Sequence, residues 1–184
     1  MSTLEEIRAK LEAEKLWKEE IWTRIRKHSE WLNIREHNVY ERGNAVRANF
    51  YGEDLILYHF DKCKVPEANF MRTNLATAFL EYSDFSFSNF MEANLERCNA
   101  ANTNFLCTNL RNANLQGASL MFTDFRGADL RGADLSYAKL GATNFANADL
   151  RGANLTGVNL AEGIFRLAQM PDSRLTYNEV VAYG

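Results

Sequence analysis

From about residue 46 to residue 165, nearly every position whose number is a multiple of five holds leucine or phenylalanine. The clearest blocks are Ala-Asp-Leu-Arg-Gly (128–132), Ala-Asp-Leu-Ser-Tyr (133–137), Ala-Asp-Leu-Arg-Gly (148–152) and Ala-Asn-Leu-Thr-Gly (153–157). Each runs small residue, Asp or Asn, large apolar residue, then two freer positions. A unit this short cannot bury its apolar residue alone, so neighbouring units must stack on one another. Side chains alternate across extended backbone, so the residue two before each centre should share its inward face and be small. It is: Ser83, Thr103, Thr123 and Thr143 precede phenylalanines, and Thr73, Ala93, Ala113, Ala133 and Ala153 precede leucines.

Sorting the centres at intervals of twenty separates the two residue types. One column reads Leu55, Leu75, Leu95, Leu115, Leu135, Leu155, and two units further round comes Val65, Phe85, Phe105, Phe125, Phe145, Phe165. That segregation predicts four units per coil, with the two columns on opposite walls and a roughly constant interior volume along the axis. The hydroxyls of Ser83, Thr103, Thr123 and Thr143 are expected to bond to nearby backbone, and the Asp/Asn residues to point outward and bond to main chain at a corner. At position 100 the centre is Ala, flanked by Cys98, so Ala100→Leu should add stability there. The units around Glu53, Tyr58 and Lys64 depart most from the pattern.

The repeat resembles the pentapeptide-repeat family, over roughly two thirds of the chain. The resemblance implies a mainly β fold, a right-handed quadrilateral β-helix of about six coils across residues 46–165. It also implies a possible homodimer contact at the C-terminal end. Some members imitate duplex DNA, bind DNA gyrase and protect it from quinolones.

Both ends read differently. In residues 1–45, Leu4, Ile7 and Leu11, then Trp17, Ile21, Trp22 and Ile25, recur at helical spacing among nine basic and nine acidic residues. This predicts an N-terminal α-helical segment, with a shorter helix carrying Trp31 after Ser29. It serves either as a cap over the open end of the solenoid or as a partner-binding module, and Trp17, Trp22 and Trp31 suit both roles. The balanced charge argues against a nucleic-acid arm. Residues 166–184 carry Pro171 and a capping-box pattern at Thr176 and Glu179, predicting a short C-terminal helix that caps the other end or forms a dimer.

The chain has 184 residues and a formal charge of -3, within the range of one domain. No charged-then-apolar leader or membrane-length apolar run is read in it, so a cytoplasmic protein without membrane contact is the expectation. Cys63 and Cys98 fall in inward slots and Cys107 in an outward one, which suggests neither a disulfide framework nor a zinc site. His28, His37 and His59 lack ligand spacing, and the recurrent glycines lack the context of a phosphate loop. No acid, base or nucleophile constellation is legible, so no enzyme, no cofactor and no metal are expected.

Function must then lie in the outward slots. Arg111, Arg131 and Arg151 form one column, with Asp129 and Asp149 placed to neutralise the last two; an ion-pair ladder is the favoured reading over an anion-binding stripe. Tyr82, Phe87, Leu106, Met121 and Phe122 fall in slots expected to face solvent around one corner, a candidate contact site for another molecule unless the chain's own helix covers it. The reading is a non-enzymatic scaffold for an unidentified protein partner. The alternative is the DNA-mimicking gyrase binder. It needs a strongly negative rod, whereas residues 46–165 hold thirteen acidic and ten basic residues.

Overall fold

The computed structural model describes residues 46–171. The helical expectations for residues 1–45, including Trp17, Trp22 and Trp31, and the C-terminal helix lie outside these residues. What is described is a stack of parallel coils. Residue pairs twenty apart form parallel bridges from Asn49↔Asn69 to Asp149↔Gln169, so each coil takes four five-residue units.

The unit around Phe90 shows how the pattern satisfies its own backbone. Phe90 N–H donates to Asn109 O at 2.7 Å and Glu92 N–H to Arg111 O at 2.9 Å, both in the following coil. Asn94 N–H donates back to Thr73 O at 2.9 Å, and Ala93 N–H closes a tight turn onto Phe90 O at 3.0 Å. Only Met91 N–H remains, and the Asn89 side chain accepts it at 3.1 Å. Every donor in the unit is thereby used, and this accounts for the Asp/Asn requirement: without that short acceptor one N–H per unit would be orphaned.

The second residue after each centre is left-handed, with φ between 53° and 65° at eighteen non-glycine positions. Together with the turn bond this is a type II turn. Glycine suits the slot because it has no Cβ to strain there, as at Gly152, φ 72°.

The outward amides form directional ladders. Nδ2 of Asn69, Asn94, Asn104, Asn109, Asn114 and Asn154 each donates to the Oδ1 of the residue twenty before it. No link runs the other way among the described residues. Inward, the hydroxyls also find backbone: Thr103 donates to Leu80 O and Thr143 to Leu120 O at 2.6 Å, and Thr123 to Ala100 O at 2.7 Å. Ser83 donates to Phe60 O in the same manner.

The core is the row of centres. Phe85, Phe105, Phe125, Phe145 and Phe165 stack face to face at 5.0–5.6 Å between centroids. Phe50, Phe70 and Phe90 make a second stack at 4.5–4.6 Å and meet the neighbouring rings edge-on. Cys63 and Cys98 are buried and Cys107 is exposed. Burial pushes the Cys98 thiol up to about 12, so it stays protonated and inert.

Ala100 is fully buried in a layer with Phe90, Leu95 and Phe105. The preceding coil holds Phe70, Leu75, Leu80 and Phe85 at the same four places, also fully buried. Ala100→Leu would give the third coil the set its neighbour already accommodates. We expect it to stabilise the protein by about 1 kcal/mol, read from urea unfolding at constant m; a loss of stability would mean that the surrounding side chains have already closed on the site.

Two features depart from the sequence reading. The first coil, despite its irregular units, keeps full register: Asp54↔Asn74, His59↔Phe79 and Lys64↔Asp84 are all bridged. The ladder also runs one unit beyond Phe165, with Leu150 N–H donating to Gln169 O at 2.8 Å. Ala168-Gln169-Met170 is a unit in register whose amide is one methylene longer than the Asn/Asp rule allows.

One side of the last coil breaks the regularity. Here β1 (Thr143–Asn144) pairs in parallel with β2 (Gly163–Ile164), and a 3-10 turn at Leu160–Glu162 replaces the usual corner. Beneath it Gly141 and Ala142 both have positive φ, 34° and 62°, so the turn there has two left-handed residues instead of one.

Candidate functional surfaces

The outward residues fall into three slots with different exposure. The Asp/Asn slot is half-buried along the walls. The slot just after the centre is sheltered where its residue is small: Ser86, Ala101 and Ser136 are buried. The left-handed slot projects furthest, with most of its residues exposed and Thr77 and Gly117 half-buried. Tyr82, Phe87 and Phe122, all in that slot, are 61%, 58% and 64% exposed, and Met121, beside Phe122, is 41% exposed. Leu106 corrects the sequence reading. It lies in the sheltered slot and is only half-buried rather than open, because the slot after the centre lies low against adjoining coils.

The register groups these side chains as two pairs across one wall. Tyr82 and Phe122 share a corner column two coils apart, about 9.6 Å along the axis at the usual strand spacing. Phe87 and Leu106 occupy successive coils on the next corner. The wall between them carries Asp84, Asn104 and Asp124, with Asn104 Nδ2 donating to Asp84 at 2.9 Å. Met121 leans along the axis over Gly141, where an added Cβ would lie 2.8 Å from its Cγ. The chain also exposes Tyr51, Ile56, Leu57, Tyr137, Ile164 and Leu167. The sequence reading passed over these, although Leu57, Tyr137 and Leu167 carry the signal of the left-handed slot.

The arginine column resolves into clasps. Arg131 Nε and Nη2 donate to the two Asp129 oxygens at 2.8 and 2.6 Å, and Arg151 holds Asp149 in the same way at 2.9 and 2.6 Å. Arg131 also reaches Asp149 at 3.6 Å, linking consecutive coils. Arg111 differs because its own unit carries Asn109 in place of Asp; its backbone N–H donates to Asn109 Oδ1 at 3.2 Å, and no carboxylate pairs with it among the described residues. A third clasp, Arg126 on Asp124 at 2.7 Å, follows the same Asp-x-Arg spacing and was missed because it falls in a different column.

The Arg131 and Arg151 hydrogen bonds hold the Asp129 and Asp149 carboxyls below their ordinary value near 3.8. Carboxyls lowered in the folded state contribute stability above that value, and the contribution is lost as pH falls through the folded-state titration. Both pairs are exposed and so worth little. We therefore expect Arg131→Gln/Arg151→Gln to cost less than about 1 kcal/mol at pH 7. The same variant should lose less stability than the parent on acidification from pH 5 to pH 2, followed by thermal melts across that range.

No group of three or more His, Cys, Asp or Glu among the described residues could hold a metal ion. None of the helices searched there is long and apolar enough to cross a membrane.

The repeat matches known sequences directly. A family model described as a pentapeptide repeat region matches residues 88–165, and one for eight copies of the pentapeptide repeat matches residues 68–105. The chain belongs to the pentapeptide-repeat family. No curated protein matches the sequence. Among solved structures, Rfr23 from the cyanobacterium Cyanothece 51142 is 21% identical, with 68% of this chain and 88% of that chain covered and a TM-score of 0.41. HetL from Nostoc sp. strain PCC 7120, a pentapeptide repeat protein involved in heterocyst differentiation regulation, is 21% identical over 69% of this chain and 86% of its own, TM-score 0.34. A trypsin-treated form of QnrB1, a plasmid-mediated fluoroquinolone resistance protein, is 19% identical over 70% and 80%, TM-score 0.30.

Proposed function

We propose that this protein is a non-enzymatic, cytoplasmic scaffold that binds another protein through the corners carrying Tyr82, Phe87, Met121 and Phe122. The coil that carries them is right-handed and four-sided in this reading, the sense that parallel strand connections overwhelmingly take. The observation that carries the proposal is the placement of three large aromatic rings, each more than half exposed, in a left-handed backbone slot. A bulky residue there costs about 1–2 kcal/mol relative to glycine, and the solenoid stacks without needing these rings. They therefore sit where neither folding nor solubility favours them, as contact residues do.

The clasped arginines support the same view, since the Nε/Nη2 edge of Arg131 and of Arg151, the one suited to a bidentate anion, is already taken by a neighbouring carboxylate. A DNA-imitating rod acting on gyrase is the second reading, and the charge of residues 46–165 and the arginine column weigh against it. The test is a pull-down from the native host with the parent chain and with Tyr82→Asn/Phe87→Asn/Phe122→Asn, Asn being tolerant of the left-handed slot. Specific partners retained by the parent should be lost by the triple variant. Equal capture by both would sink the proposal, and inhibition or protection of gyrase in a supercoiling assay would move the function to the second reading.

A further inference from the structure

The break on the last coil has a pattern of its own. Every centre residue from Phe50 to Leu150 donates its N–H to the coil that follows, with a single exception. That exception is Leu140, whose partner would be Asn159 O. The return bond from Asn159 N–H to Ala138 O is missing too, as is the bridge Lys139↔Asn159. Leu140 is nevertheless 1% exposed. A buried N–H and C=O without protein partners stand out against a ladder in which such groups are otherwise paired.

Above this gap, residues 157–161 make no backbone hydrogen bond to the coil beneath. They bond within their own coil instead, Val158 N–H donating to Leu155 O at 3.1 Å. Asn159 Oδ1 accepts from Ala161 N–H at 3.3 Å, Asn159 O accepts from Glu162 N–H at 3.2 Å, and Asn159 Nδ2 donates to Glu162 Oε1 at 2.8 Å. The segment is thus a self-contained turn. It is bounded by Gly157, φ 72°, against which the Tyr137 ring packs, and by Gly163, which lies over Leu140 and Phe165. Its centre residue Leu160 is only half-buried. Its ties to the fifth coil come from Gly141 and Ala142, which donate to Glu162 Oε2 at 3.4 Å and Glu162 O at 2.6 Å. The rest of the same coil is firmly held: Phe145 N–H donates to Ile164 O at 2.7 Å, Leu150 N–H donates to Gln169 O at 2.8 Å, and Phe145 stacks on Phe165.

We infer that residues 157–162, between Gly157 and the paired Gly163, form a strap that lifts as a unit while the remainder of the last coil, from the Thr143↔Gly163 pairing onward, stays docked. Lifting breaks the two bonds to Glu162 and uncovers Leu140 together with the unbonded Ala138 C=O and Leu140 N–H. These present one rung of parallel β edge beside an apolar side chain. The strap is distinct from ordinary fraying of a terminal coil, which would release Ile164 and Gln169 with it.

Native-state hydrogen exchange on the full chain, followed by NMR in increasing urea, tests this without substitutions. Leu140 and Ala142 amides should exchange at least about tenfold faster than Phe145 and Leu150 amides, by an opening that depends weakly on urea. Glu162→Ala, which removes the side-chain tether to Gly141, should speed Leu140 and Ala142 further and leave Phe145 and Leu150 unchanged. The inference is overturned if all four amides exchange together, which is fraying of the whole coil. It is equally overturned if Leu140 and Ala142 are as protected as Leu120 and Phe122, their counterparts one coil earlier.

Discussion

Phe105→Ala should destabilise the protein by about 3–5 kcal/mol, at the upper end for a single core truncation. The ring is fully buried and stacked between Phe85, 5.6 Å below, and Phe125, 5.2 Å above, with Phe90 edge-on at 5.4 Å. Its removal leaves a void in the layer that Ala100 already thins. The ladder fixes the axial spacing of the coils, so the stack cannot close over the gap by sliding together. Phe105→Leu, which keeps most of the volume, should cost less than half as much. Urea denaturation of both variants measures the difference, and equal losses would mean that ring stacking rather than volume holds the column.

Proline should be nearly harmless at one position and ruinous at the next. Glu96 lies just after the centre Leu95, where the N–H goes only to the Asn94 side chain, at 3.2 Å. A type II turn favours proline there, and both prolines of the chain, Pro66 and Pro171, occupy this slot. The residues that would otherwise accept the missing N–H are Lys64 and Gln169 rather than Asp or Asn, so nothing is left unpaired by those prolines. Glu96→Pro should therefore stay within about 1 kcal/mol of the parent. Arg97, one residue on, has φ 54° and donates its N–H to Gln116 O at 2.8 Å. Proline can adopt neither state, so Arg97→Pro should cost 3 kcal/mol or more. Thermal melts of the pair check both; similar melting temperatures would show that the turn geometry is not what limits this corner.

The coil was legible because two residues in five, one large and one small, are committed to the interior and each coil repeats them. The two columns that separate Leu55 to Leu155 from Phe85 to Phe165 carry the twenty-residue period, and the bridges repeat it link by link. The roles of Thr103, Thr123 and Thr143 were legible for the same reason: an inward hydroxyl has only backbone to bond. Exposure in the outward slots was not. Whether Leu106 or Phe87 projects depends on φ at that residue; the recurrent glycines two residues after the centre mark the left-handed slot, but they do not by themselves say how far a large side chain there stands out. The break at Leu140 was also hidden, since Leu160 keeps the period while its backbone leaves it. Gln169 escaped because it departs from the Asn/Asp pattern, and with Pro171 two residues on there is no turn N–H for that slot to accept, so the unit keeps register through its backbone alone.

The one-way amide ladders make the surface chemically asymmetric. An asparagine such as Asn94 donates to Asn74, accepts from Asn114 and also accepts its own turn amide, Glu96 N–H. Deamidation to aspartate abolishes the donor and keeps the acceptor. Damage at one rung would then unlink it from the coil before, while its turn and its hold on the coil after persist. Age would be written into this solenoid as scattered cuts in one strand of a seam, with the walls still standing.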